Sequence, residues 1–109
     1  MTHPCHIIAV DAPFAFQQNQ VTDFVKGWAT SQGGAWWHHL PTLWMVALPP
    51  HITARHIREA VQRVLPSAKH VVLTLKTPPE WDGFGLNDSH EWMMKYLAQP
   101  NGGPPSLNP

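Results

Sequence analysis

Asp11, the His3–Cys5–His6 cluster, the His38–His39 pair, the Arg55–Arg58 ridge and six Trp are the side chains here whose types do chemistry. Asp11 follows the apolar run His6 to Val10 and stands two residues before Pro13. A carboxylate there accepts backbone N–H bonds in the turn, a common use of Asp. His3, Cys5 and His6 combine imidazole and thiol, donors that suit zinc or copper. Their spacing around Pro4 matches no strong metal motif, so the stretch reads as adventitious metal affinity. His38 and His39 are neighbours in an extended segment, where they point to opposite faces and cannot hold one ion together. Arg55, Arg58 and Gln62 recur at helical spacing, with His56 and Arg63 near by. They form a modest basic ridge that can track phosphates, against the simpler role of a solvated helix face. Trp28, Trp44 and Trp92 fall in apolar patterns and belong to a core. Trp36, Trp37 and Trp81 do not, and are assigned to an interface, with dimer burial ahead of base stacking. The sequence contains no nucleophile elbow, phosphate loop or dinucleotide fingerprint.

The elements that must position these residues follow from periodicity. His6–Val10 is β-branched and apolar, a buried strand that ends at Asp11. Val21, Phe24, Val25 and Trp28 lie at i, i+3, i+4 and i+7, one face of a helix stopped by Gly33-Gly34. Ala35–His39 and Thr42–Leu48 are two extended pieces separated by Pro41, which predicts a hairpin; Pro49-Pro50 ends the second. Thr53 caps a second helix with Ile57, Ala60, Val61, Val64 and Leu65 inside, closed by Pro66. His70–Lys76 is a last strand, with Thr74 and Lys76 marking a wetter face.

Strand, helix, strand, strand, helix, strand is the order of a ferredoxin-like βαββαβ fold: a four-stranded antiparallel sheet with two helices on one face. The first and third strands are the more apolar and should be central. Asp88 and Glu91 resemble a capping box for a short C-terminal helix over residues 89–97, with Trp92, Met93, Tyr96 and Leu97 on its apolar side. The domain is expected over residues 1–99. Residues 100–109, with four Pro and two Gly, read as a disordered tail.

Composition narrows the function classes. Seven basic and seven acidic residues cancel, whereas general nucleic-acid binders usually carry a basic excess. Charged residues make up only 13%, and that sparse surface with six Trp points to aromatic area covered in a homodimer. One Cys excludes an internal disulfide and thiolate zinc clusters. No apolar run approaches the roughly 20 residues of a membrane span, and the first residues lack a signal pattern. A cytoplasmic location without membrane contact is the expectation.

The segment Ala35-Trp36-Trp37-His38-His39-Leu40-Pro41-Thr42-Leu43-Trp44-Met45-Val46 resembles the Trp-rich hairpin of small bacterial and phage proteins labelled SinR-like. The likeness extends to the strand end Ala9-Val10-Asp11, to Thr53–Ala60 and to Glu91–Leu97. Those proteins are similar in fold to the CRISPR-associated Cas-two family and to VapD-like toxins. The resemblance implies a ferredoxin-like homodimer in which an Asp ending the first strand faces its mate and holds Mg²⁺ for phosphodiester hydrolysis. Asp11 occupies that position, as catalytic residue and metal ligand, with Arg55 and Arg58 as phosphate contacts. The expected function is thus a nucleic-acid-associated homodimer with the features of a Mg²⁺-dependent nuclease. The alternative is a non-catalytic phage or mobile-element inhibitor or regulator that binds a protein partner. Zero net charge, the apolar run Ala12–Phe16 after Asp11 and the high Trp content fit that alternative.

Overall fold

A computed structural model describes residues 3–75 and 89–96. The elements are β1 (Cys5–Val10), α1 (Ala15–Ser31), β2 (Ala35–Leu40), β3 (Leu43–Ala47), α2 (Ala54–Val64), β4 (His70–Thr74) and α3 (Ser89–Tyr96). The strands form one sheet in the order β2-β3-β1-β4, every neighbouring pair antiparallel. This mixed α+β arrangement is compatible with a ferredoxin-like fold.

Alternation along the strands divides the sheet between two cores. Ile8 and Val10 of β1, with Trp44 and Val46 of β3, face α1 and α2 and pack on Val21, Val25, Ile57 and Val61. Cys5 and Ile7, with Met45 and Leu43, face the other way and meet Met93 and Trp92 of α3. A period of two places successive side chains on opposite faces, so β1 and β3, buried on both, must be apolar throughout.

Local sequence sets the element ends. Gly33 adopts φ +69°, and the Gly34 N–H donates to the Ala29 carbonyl at 2.8 Å, closing α1 in a Schellman turn. Gly34 is required for a second reason: a Cβ there would collide with the Ala47 carbonyl oxygen of β3. At the start of α1, the Phe14 N–H donates to Gln17 Oε1 at 3.2 Å, and Gln18 Nε2 donates to the Ala12 carbonyl at 2.9 Å. Thr53 caps α2 by accepting the His56 N–H, while the Thr53 N–H donates to His56 Nδ1 at 3.0 Å. Histidine thus takes the reciprocal place that Glu or Gln usually fills in a capping box.

The Trp-rich hairpin is fastened to α1 by a polar relay. Trp44 Nε1–H donates to Thr22 Oγ1 at 2.9 Å, and Thr22 Oγ1 lies 3.2 Å from His38 Nδ1. His38 Nε2 lies 3.2 Å from the Pro41 carbonyl, which only accepts, so Nε2–H donates to it. The His38 ring also stacks on Trp44 at 4.5 Å between centroids. His38 and His39 lie on opposite faces of β2, with His39 exposed beside Trp37.

The last strand is wetter on both faces than its residue types suggest. Val71 and Leu73 lie on the α3 side of β4 and are 51% and 53% exposed. Thr74 is on the helix side, where its hydroxyl meets His6 Nδ1 at 2.9 Å. As the outer strand beside β1, β4 is covered on neither face as fully as β1 is. The expected capping residue Asp88, the wetter-face residue Lys76, Leu97 and residues 100–109 lie outside the described residues. No helix among the described residues is long and apolar enough to cross a membrane.

Candidate functional site

The chemistry-bearing residues of β1, α2 and β4 meet at one end of the sheet. Asp11 follows the last residue of β1 and is exposed. Its N–H donates to the Lys69 carbonyl at 2.8 Å, which ties the end of β1 to the segment entering β4. Two hollows flank it. One, of about 350 Å³, runs between Asp11, Pro13 and Gln17 and the loop Leu65–Ala68. The other, of about 320 Å³, lies against Asp11, Thr42, Lys69 and His70.

Beyond the loop, Arg58 of α2 faces Ser67, Lys69 and His70 across a third hollow of about 420 Å³. Arg58 Nη1 donates to Gln62 Oε1 at 2.7 Å, an i to i+4 contact that orients the guanidinium. Arg55 is exposed on α2 but lines none of these three hollows, and Arg63 faces a separate groove beside Trp28 of α1. The basic ridge read along the helix therefore divides, and Arg58 is its member beside Lys69. Lys69, His70 and Ser67 carry no motif that sequence reasoning could have used. Their proximity to Asp11 comes from β1–β4 pairing, where Val10 lies opposite His70.

The Trp residues take different places. Trp36 is half-buried against the core formed with α1 and α2. Trp37 is only 3% exposed, beneath α3, so it presents no free ring for stacking on a base, and its Nε1 has no hydrogen-bond partner among the described residues. Trp81 lies outside the described residues. Among the described residues the large rings that do face solvent are Phe14 and Phe16, 59% and 65% exposed and stacked on each other at 5.9 Å. Composition alone gave no reason to single them out.

At the opposite end of β1, Cys5 and His6 are buried on opposite faces of the sheet. Burial pushes the Cys5 thiol up to about 12, which keeps it protonated and a poor metal ligand. Burial also lowers the pKa of His6, whose Nε2 has no partner among the described residues. Among the described residues no three His, Cys, Asp or Glu side chains come together to hold a metal ion.

As a hard-oxygen donor Asp11 suits Mg²⁺, an ion that takes about six oxygen ligands and usually retains several waters. Among the described residues Asp11 is the one carboxylate that lines these hollows, and a second copy would bring its mate. Comparison with protein-family models, with curated proteins and with solved structures finds no match.

Proposed function

We propose that this chain is a Cas-two-like, ferredoxin-like protein that associates with nucleic acid as a homodimer. The observation that supports this reading is the exposed Asp11 carboxylate at the end of β1, flanked by hollows, with Lys69, His70 and Arg58 at the same end. Arg and Lys neutralise phosphate, while a carboxylate among them serves as a cation site beside the same backbone. In the catalytic form of the proposal, Asp11 from each of two copies would hold Mg²⁺ or Mn²⁺. The ion would supply Lewis-acid stabilisation of charge on a phosphodiester. Arg58 would orient the strand through its guanidinium, and Arg55 would contact the backbone further along α2.

The test is calorimetric titration of Mg²⁺ and Mn²⁺ into the wild type and Asp11→Asn, with mass by light scattering. Binding at about one ion per dimer, lost in the variant while the dimer persists, supports the shared site. Cleavage of single- or double-stranded substrate that survives Asp11→Asn refutes the nuclease mechanism. The second reading is a non-catalytic protein that binds a protein partner, and the exposed apolar residues favour it. Phe14 and Phe16 form one such patch and Val71 and Leu73 another, on a chain of zero net charge. A stable dimer with neither ion nor oligonucleotide binding would select this reading.

A further inference from the structure

We propose that the hollow walled by Arg58, Gln62, Ser67, Lys69 and His70 is a phosphate pocket that takes the terminal phosphate of an oligonucleotide. The pocket stands on its own geometry; its extension to an oligonucleotide rests on the nucleic-acid reading above. At about 420 Å³ the hollow is in the small-ligand range. Two cationic side chains, a hydroxyl and an amide line it, and no carboxylate among the described residues does. The two cations, joined by the hydroxyl and the amide N–H groups, match a phosphate, which presents acceptor oxygens and negative charge.

Parts of the wall are held in place. The Arg58 guanidinium is oriented by Gln62 through one of its five N–H groups, leaving the others for a ligand. The His70 ring is pinned at both nitrogens: Nδ1 lies 2.9 Å from the Ala68 carbonyl and Nε2 lies 3.2 Å from the Arg58 carbonyl. These two carbonyl contacts fix the ring between α2 and the Leu65–Ala68 loop. The ring stands behind the pocket, with Lys69 and Arg58 beside it and Asp11 on the β1 side. Pro66, Ser67 and Ala68 form the ridge shared with the hollow that contains Asp11. A strand whose end is anchored at Arg58 and Lys69 would therefore pass over this ridge toward Asp11.

The experiment is fluorescence polarisation of the full chain with a short 3′-fluorescein single strand carrying either a 5′-phosphate or a 5′-hydroxyl. Wild type, Lys69→Gln and Arg58→Gln are compared, with inorganic phosphate as competitor and circular dichroism as a check on folding. Both substituted side chains are exposed, and the amide replacements keep much of their bulk. The 5′-phosphate is expected to bind at least about tenfold more tightly, a preference that each variant reduces and phosphate competes away. Equal affinity for the two strands would overturn the pocket and leave the nucleic-acid reading standing. If neither strand binds, thermal stabilisation by inorganic phosphate that depends on Arg58 and Lys69 would keep the pocket and refute the oligonucleotide as its ligand. Absence of both effects would overturn both.

Discussion

Replacing Thr22 by Val tests whether the Trp-rich hairpin is held by its polar relay. The two side chains have nearly the same shape and similar helix propensities, so the exchange removes an oxygen and little else. That oxygen accepts from Trp44 Nε1 at 2.9 Å and meets His38 Nδ1 at 3.2 Å. Trp44 is fully buried, and water cannot replace the lost acceptor. An orphaned buried N–H costs about 1–3 kcal/mol, and the His38 bond adds about 1 kcal/mol, for a total of about 2–4 kcal/mol. In a domain of this size that lowers Tm by at least about 8 °C. Urea unfolding followed by tryptophan fluorescence measures it. Thr22→Ser, which keeps the oxygen, should cost about 1 kcal/mol or less. In a Trp44→Phe background the Thr22→Val loss should shrink by about 1 kcal/mol or more, because the indole donor is already gone. A Thr22→Val change below about 0.5 kcal/mol, or equal losses in both backgrounds, would refute the relay as a determinant of stability.

Three further outcomes are expected. His6 has its folded pKa lowered below the ordinary value of 6.5, so on acidification the unfolded chain takes up its proton first. Stability should fall as pH drops from about 6.5 toward the folded value, with a limiting slope of about 1.4 kcal/mol per pH unit; His6→Phe should remove this slope in parallel urea titrations at pH 5–8. Cys5, buried and with its thiol raised to about 12, should resist alkylation at pH 8 in the native state and react on denaturation; rapid native labelling followed by mass spectrometry would contradict its placement. Gly34→Ala should destabilise by about 1–3 kcal/mol through collision with the Ala47 carbonyl. Gly27→Ala, in open space on α1, should instead stabilise by about 0.5–1 kcal/mol, and thermal melts that show the same sign for both would disprove the distinction.

The part of this fold that was legible in the residue order is the part that local physics dictates. Apolar spacing at Val21, Val25, Ile57 and Val61 marked the inner faces of α1 and α2, and each of these residues is buried. Gly33-Gly34, Thr53 and Pro41 marked ends and turns through backbone and capping preferences that act within a few residues. Near-continuous apolarity distinguished β1 and β3 from the outer strands. The candidate site was legible only in its separate members: Asp11 by its place after a strand, and Arg55 and Arg58 by helical spacing. Helical periodicity could not show that Arg58 and Arg63 face different grooves, or that Arg55 lies away from Asp11's hollows.

The rest depended on contacts between residues far apart in the chain. His6 meets Thr74, and Trp44 meets Thr22, across separations of 68 and 22 positions. The pairing of Val10 with His70 brings Lys69 beside Asp11. Trp37 is covered because α3 returns to the second face of the sheet, while the Phe14–Phe16 stack is left uncovered. The sequence by itself determined which segments are helix or strand and which of their faces are apolar, because propensity and periodicity are local. Tertiary structure alone decided which polar groups become partners and which aromatic rings face water, because burial is a property of the assembled layers.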